Sequence, residues 1–332
     1  NAAAGAGSTV GGGGWNGGST SGNKSNGPAS TIGGGFGNAI SPDGGYGVIG
    51  GGQANAITAT PGSNLNIATI GGGLNNKVTL GGGTVGGGNS NTAGNFDATV
   101  SGGFGNTASG GSSTVPGGNG NLAQGAFSFA AGRRAKANND GCFAWADSND
   151  FDFSCGLNNA FTARATGGVY LVTGINGSGA NTAGVQVAAG GNAWSALSDK
   201  NSKANFALID GRAVMEKLAR IPISTWNYKT QDEAIRHIGP MAQDFAAAFN
   251  VGEDDKHITT IDADGVSLAA LQGLYQIVQE KDQRISQLER EVAQLKQGSL
   301  PDQSFNVSNV VSLVALAGVA LLALGLRRKR VG

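Results

Sequence analysis

The chain has 332 residues, 60 of them glycine and 13% charged, with 22 basic and 22 acidic side chains and a formal net charge of zero. That length allows two or three domains; glycine without a three-residue period excludes collagen, and the balanced charge gives no basic footprint for nucleic acid. Six side chains of each sign fall in residues 1–190 and the other sixteen of each in residues 191–332, so a nearly uncharged half precedes a charged one.

Residues 1–165 form a repeat array. Ile70, Val85, Val100, Val115, Ala130 and Trp145 are each 15 residues apart, threonine precedes them at Thr69, Thr84, Thr99 and Thr114, and asparagine follows six positions later at Asn76, Asn91, Asn106 and Asn121. The same step of six links Val10 to Asn16, Ile32 to Asn38 and Ile49 to Asn55, where intervals of 22, 17 and 21 residues read as loop insertions. A coil of this length has room for two short strands and two turns, each strand with one small inward apolar residue such as Val100 or Ala108. Glycine permits the φ > 0 turns and close backbone approach that tight coils require. Stacked asparagines can hydrogen-bond along the stack, and a coil too small to bury its own face draws stability from its neighbours. The fixed phase argues against a disordered glycine-rich linker. Glycine runs outside a βαβ unit argue against nucleotide binding. The expected fold is mainly β, a β-roll or solenoid of either hand.

With its Asn-x-Ala and small-residue-glycine spacing, the array resembles the head repeats of trimeric autotransporter adhesins. That resemblance implies a trimeric β-roll and carries no ligand-binding residue; the target class left open is a host or cell-surface glycan or protein.

Residues 127–165 keep the phase but add Phe127, Phe129, Phe143, Trp145, Phe151, Phe153 and Phe161. Clustered aromatics are more often core, so they are expected to cap the end of the solenoid, with a sugar-binding platform as the alternative. Cys142 and Cys155 are either a disulfide, which suits an exported protein, or two buried thiols; spacing does not decide. Two histidines, His237 and His257, and no Cys-x-x-Cys indicate no metal, and no cofactor is expected. Residues 166–197, with alternating Val169, Leu171 and Val185, Val187, read as short strands of a neck.

Composition changes at Ser198-Asp199-Lys200-Asn201-Ser202-Lys203. A lysine amine can act as base for a serine hydroxyl without histidine, although the spacing alone also fits a polar linker. Beyond it, Gly211 onward suits a short amphipathic helix, ended at Ile221-Pro222. Ile223, Thr225, Trp226 and Tyr228 suit a strand, and His237 to Phe249 a turn and then a helix from Pro240. Ile258 to Ile261 reads as a strand and Asp264-Gly265 as a turn. A helix starting near Ser267 carries Leu271, Leu274, Val278, Lys281, Ile285, Leu288, Val292 and Leu295 in strict 3,4 spacing, a coiled-coil pattern over 271–297.

In order, Ser198-Asp199-x-x-x-Lys203, Ile221-Pro222-x-x-x-Trp226-x-Tyr228, His237-Ile238-Gly239-Pro240-Met241-Ala242-Gln243-Asp244-Phe245 and a coiled coil resemble the intramolecular chaperone, auto-processing peptidase domain at the C-terminus of phage endosialidases and tail fibres. The resemblance implies a homotrimer, which overrides the lean of the heptad pattern toward dimers. It implies a small α+β chaperone domain over 198–270 that helps an upstream β-rich fibre fold and then cuts itself off. Ser198 is then the nucleophile, Lys203 its base and Leu197–Ser198 the scissile bond. Asp199 is a candidate for shaping the loop or supporting Lys203, and His237 either assists catalysis or holds a turn. Residues five apart on a helix differ by about 140°, so the segment should be a bent loop, or the pair should form between subunits. Free lysine, with a pKa near 10.4, must fall by about three units to act as base, which packing in an assembled trimer can supply.

Residues 298–309 read as a polar linker. Residues 310–326 carry no charge and abut Arg327-Arg328-Lys329-Arg330, as a short transmembrane helix followed by a basic cytoplasmic tail (327–332) does. The tail is similar to bacterial sorting tails of the Pro-Glu-Pro type, but the matching spot is Leu300-Pro301-Asp302. The whole reads as an exported, membrane-anchored trimeric surface fibre, at the bacterial cell surface or outside it, whose chemistry is one cut in itself. The alternatives are a passive adhesin with an inactive chaperone clamp, or a polysaccharide-binding or -cleaving spike. A glycosidase needs two carboxylates about 5–10 Å apart, and Asp147, Asp150 and Asp152 are the only acidic cluster in the first half.

Overall fold

Each repeat of the first half folds into one coil with two strands of two residues, as in Thr107–Ala108 and Thr114–Val115. The coils are seen in a computed structural model that describes residues 1–58 and 67–298. Corresponding strands of successive coils pair in parallel, with Val85↔Val100 in one register and Ala93↔Ala108 in the other. The result is a β-solenoid with two parallel sheets, each of 10 strands among the described residues. A third edge carries single-residue bridges from Phe36 through Gln53, Leu74, Asn89, Phe104 and Asn119 to Arg133. Strand alternation sends one residue of each pair inward. Ile32, Ile40, Ile49, Ile57, Ile70, Val78, Val85 and Val100 are 0% exposed, so the interior closes within one chain.

A ladder of asparagines runs through the coils. Each side-chain oxygen accepts the next rung's backbone N–H: Asn91 donates to Asn76 at 3.0 Å, Asn106 to Asn91 at 3.0 Å and Asn121 to Asn106 at 2.9 Å. Each side-chain nitrogen donates to two glycine carbonyls, for Asn106 those of Gly102 and Gly118, both at 2.9 Å. Among the described residues the ladder runs from Asn1, whose side-chain oxygen accepts Asn23 N–H, to Asn121, which accepts Ala135 N–H. Asn23, rather than the expected Asn16, is the second rung. The insertion of the first long coil precedes the rung, and Asn16 sits exposed in a small excursion closed by the Trp15↔Thr20 bridge. Glycine is obligatory beside the ladder: Gly88 has φ +83°, and a Cβ there would lie 2.2 Å from the Gly103 carbonyl oxygen.

From coil to coil the inward pair shrinks, from Ile57 and Ile70 to Val78 and Val85, then Ala108 and Val115, then Ala123 and Ala130, all 0% exposed. The last coils are held differently. Cys142 and Cys155, 13 residues apart, are disulfide-bonded, which settles the choice left open by their spacing. Closing a loop of about 15 residues stabilises by about 3 kcal/mol. Phe129, Phe143 and Phe161 stack at 4.6 and 4.9 Å between centroids. They continue, on the outer face, the column begun by Thr69, Thr84, Thr99 and Thr114. The expected aromatic cap is therefore a correction: alanines and Cys155 fill the interior, while Phe127, Phe151 and Phe161 are 75%, 73% and 74% exposed. Trp145 also faces outward. The step from Phe129 to its partner Phe143 is 14 residues rather than 15, so Ala144 takes the inward position, and a one-residue offset turns the next side chain to the other face.

A polar network caps this end. Asp147 accepts Thr166 N–H and Oγ1–H at 3.0 and 2.7 Å and Arg164 Nε–H at 2.8 Å. Arg164 also donates to the carbonyls of Phe151 and Asn149 at 2.7 and 2.8 Å. The Thr166 hydrogen bonds, with that of Arg164 behind them, hold the Asp147 carboxyl well below the usual carboxylate range. Val169–Ile175, Asn181–Val187 and Ser195–Ala196 then form an antiparallel sheet in which Val169 pairs with Val187 and Leu171 with Val185.

The chain divides into two compact units, Asn1–Leu197 and Ser198–Gly332. In the second, α1 (Gly211–Leu218) is capped by Asp210, whose carboxylate accepts from the N–H groups of Arg212 and Ala213. Ser224–Trp226 and His237–Gly239 make an antiparallel hairpin. Helices α2 (Ala242–Phe249) and α3 (Thr260–Gly298) follow. Val214, Phe245, Val266, Ala269 and Ala270 form their shared core. Pro240 stands before the N-cap Met241 rather than inside the first turn of α2. Neither the strand expected at Ile258 to Ile261 nor the turn at Asp264-Gly265 forms, because α3 begins at Thr260 instead of near Ser267. Thr259 caps this earlier start: its Oγ1 accepts Asp262 N–H at 3.0 Å and donates to the Asp262 carboxylate at 2.6 Å, as an N-cap threonine does. A glycine inside a helix costs only about 1 kcal/mol, so Gly265 does not break it. The heptad residues Leu271, Leu274, Val278, Ile285, Leu288, Val292 and Leu295 all lie on α3 and are exposed. Among the described residues no helix is long and apolar enough to cross a membrane. The expected span at 310–326, the tail 327–332 and Leu300-Pro301-Asp302 lie outside the described residues.

Asn106→Ala removes the amide's bonds to the Gly102 and Gly118 carbonyls, the second of which still accepts Phe104 N–H, and leaves the buried Asn121 N–H without its partner, at about 1–3 kcal/mol for a buried group left unpaired. Gly88→Ala should be destabilising through its left-handed backbone and the clash with Gly103, whereas Gly87→Ala, with nothing within 4 Å of its Cβ, should be close to neutral. Thermal melts followed by circular dichroism check both, and equal melting of the two glycine variants would contradict the ladder geometry. Since the Asp147 carboxyl is depressed in the fold, its contribution is present above the unfolded carboxylate pKa of about 3.9 and is lost as pH falls below that value. Acid titration monitored by hydrogen exchange should loosen the last coils of the parent, while Asp147→Asn should be already loosened at neutral pH and lack that acid step.

Candidate active site

The local sequence folds the junction into a tight turn. Asp199 is extended, with φ −66° and ψ 131°, and caps a 3-10 turn over Lys200–Ser202. Its carboxylate accepts Asn201 N–H at 3.0 Å and the Asn201 amide at 3.2 Å. Backbone bonds from Ser202 N–H to Asp199 O and from Lys203 N–H to Lys200 O, both 3.1 Å, complete the reversal. Lys203, extended again at φ −120°, reaches back so that its Nζ donates to Ser198 Oγ at 2.7 Å. The bent-loop geometry is therefore the one adopted, within one chain, and a continuous helix is not. Both side chains are exposed in the single chain.

The hydrogen bonds of Asp199 go to Asn201, so it shapes the turn and does not touch Lys203. Asn201 is the partner that sequence reasoning passed over; an Asp with an amide two residues on is the local signal for such a capped turn. His237 lies in the hairpin instead of beside the serine. Its Nε2 is 2.9 Å from Gln231 Oε1, and its ring packs 4.8 Å from Trp226 and 5.6 Å from Tyr228. Trp226 and His237 are direct cross-strand partners, and Phe245 is buried in the helical core. The two downstream motifs thus supply the hairpin and part of the helical core. His257 is an exposed partner of Asp254 at 2.8 Å.

The acidic cluster of the first half is bound up in ion pairs: Asp150 with Arg133 at 2.9 Å, Asp152 with Arg134 at 2.7 Å and Asp147 with Arg164 at 2.8 Å. The Arg134 hydrogen bond lowers the Asp152 pKa. A glycosidase's general acid needs the opposite, a raised pKa.

No curated protein matches the chain. Residues 198–251 match a protein-family model described as chaperone of endosialidase, a peptidase family by name, and that match begins on Ser198 itself.

Proposed function

We propose that the chain is one subunit of an exported homotrimeric fibre whose segment 198–297 is an intramolecular chaperone that cuts the Leu197–Ser198 bond. The observation that carries this reading is the family match starting at Ser198 on the same residue whose hydroxyl receives Lys203 Nζ at 2.7 Å. Lys203, once deprotonated, takes the proton of Ser198 Oγ. The oxygen adds to the Leu197 carbonyl carbon, the Leu197–Ser198 C–N bond breaks, and the Ser198 nitrogen gains a proton. Water then hydrolyses the resulting ester to a Leu197 carboxylate and a free Ser198 hydroxyl. Ser198 is the nucleophile, Lys203 the base and Asp199 a positioning residue that acts through the turn.

In this reading the solenoid is the cargo, an adhesin-like fibre for a glycan or protein surface, and 271–297 is a trimeric coiled coil. Residues 310–326 anchor the uncut chain in a membrane with 327–332 in the cytoplasm. Assembly switches the cut on, because a lysine exposed to water holds its proton, whereas burial favours the neutral amine. The passive-clamp reading draws on the same exposure of Ser198 and Lys203 in the single chain.

Intact mass after folding separates the two. A fragment beginning at Ser198 is expected from the parent and from Ser202→Ala, but not from Ser198→Ala or Lys203→Ala, which should remain full-length trimers. Loss of general base catalysis typically costs 10²–10⁴-fold in rate. Equal cutting in Ser198→Ala removes that residue from the mechanism, and an uncut parent trimer leaves the passive clamp. Asp199→Ala should slow the cut, and Asp199→Ser, which restores an N-cap, should recover most of it with an unchanged pH–rate profile. A shifted profile would instead make Asp199 an electrostatic partner of Lys203.

A further inference from the structure

The segment that follows the dyad is bare. Residues 204–209 form neither helix nor strand, and among the described residues none of their backbone N–H groups has a backbone partner. Phe206, Leu208 and Ile209 are 65%, 106% and 63% exposed. An apolar strap of this kind needs a surface to cover it.

Its far end is fixed. Asp210 caps α1, and Gly211 sits so close to α3 that a Cβ on it would lie 2.6 Å from the Ala269 carbonyl oxygen, while a Cβ on Gly273 would lie 2.2 Å from that of Gly211. Arg212 pairs with Glu280 further along. With Leu271, Val278, Ile285 and Val292 at heptad position a, Ala270 is at g and Gly273 and Glu280 are at c, so α1 and the end of the strap lie on the c and g side of α3. On the e side, Leu268 and Tyr275 are 63% and 64% exposed, and with Leu271 they line an open groove. In a parallel coiled coil, the g side of one helix meets the e side of the next. The strap of one subunit therefore arrives at the groove of its neighbour.

We infer that residues 204–209 of each subunit lie across α3 of the adjacent copy of this chain, with Phe206 and Leu208 in the groove of Leu268, Leu271 and Tyr275. The inference rests on the homotrimer proposed above. It deepens that reading, because the strap starts at the residue after Lys203: seating it on a neighbour acts directly on the turn that holds the dyad.

The test uses the full chain carrying Ser198→Ala, so that cutting does not enter the readout, with Leu208→Cys and Tyr275→Cys added. Phe206→Cys with Leu268→Cys serves as a second pair, and the single cysteine variants as controls. After mild oxidation, non-reducing denaturing gels should show chains linked in twos and threes for the paired variants only. A sample that sediments as a trimer but runs as single chains in both pairs overturns the strap assignment and leaves the trimer standing. A sample that sediments as a monomer sinks the trimer itself, and the strap with it.

Discussion

The solenoid depends on how a very narrow coil satisfies its own backbone. With one inward side chain per strand there is no room for water, yet every buried N–H and C=O needs a partner. The asparagine rung does this at one corner of each coil: one amide serves two carbonyls and one N–H, and hands the pattern to the next coil. The amide must lie flat against the backbone, and that is why glycine stands beside it. A Cβ on Gly88 would be 2.7 Å from the Asn91 amide nitrogen as well as 2.2 Å from a backbone oxygen. The same contact recurs at Gly35, Gly52, Gly73, Gly103 and Gly118, coil after coil.

The shrinking interior shifts the burden along the chain. Burying an isoleucine or valine stabilises by about 1.5–3 kcal/mol, and alanine by much less, so the coils after Ala123 and Ala130 need other support. The disulfide, at about 3 kcal/mol, outweighs each stacked phenylalanine pair at about 0.5–1.5 kcal/mol. The half-exposed Arg133–Asp150 pair, a surface ion pair worth about 0–1 kcal/mol, counts for least. Stability of this end of the solenoid is thus tied to oxidation of Cys142 and Cys155, which oxidising compartments maintain.

What was legible in the sequence was whatever repeats. The 15-residue phase placed the inward residues from Ile70 to Ala130 and the rungs from Asn76 to Asn121, because identical coils must stack in register. The phase failed where coil length changed. One residue fewer before Phe143 exchanged Trp145 for Ala144 inside, and an insertion placed before the rung instead of after it exchanged Asn16 for Asn23. The aromatics misled for a different reason. Burial statistics describe a core with room, and this interior had already narrowed to alanine, so the rings could only stack outside. In the second unit, amphipathic spacing found α1 at Gly211. The start of α3 is hidden by the turn signal of Asp264-Gly265, although Thr259, three residues before Asp262, is an N-cap signal. Of the candidate site, the Ser198–Lys203 pairing was legible from motif order. The capped turn that achieves it was not, since that depends on where the Asp199 carboxylate points.

The single chain leaves two things unfinished, and they are next to each other in the sequence. Helix α3 runs 39 residues, yet its buried core residues, Val266, Ala269 and Ala270, all lie near its start, and Arg212 pairs with Glu280 about midway. Beyond Glu280 the apolar stripe of Ile285, Leu288, Val292 and Leu295 is exposed, and isolated helices of about 12–15 residues are marginal on their own. Ser198 Oγ and Lys203 Nζ share a hydrogen bond and stand exposed in the single chain. Burying the stripe of α3 between copies would complete the helix. It would also bring a neighbour to the side of α1, and α1 is reached from Lys203 through only seven residues, 204–210. Under the proposed trimer, then, the event that buries the stripe of α3 is also the one that brings a neighbour to the segment leaving Lys203.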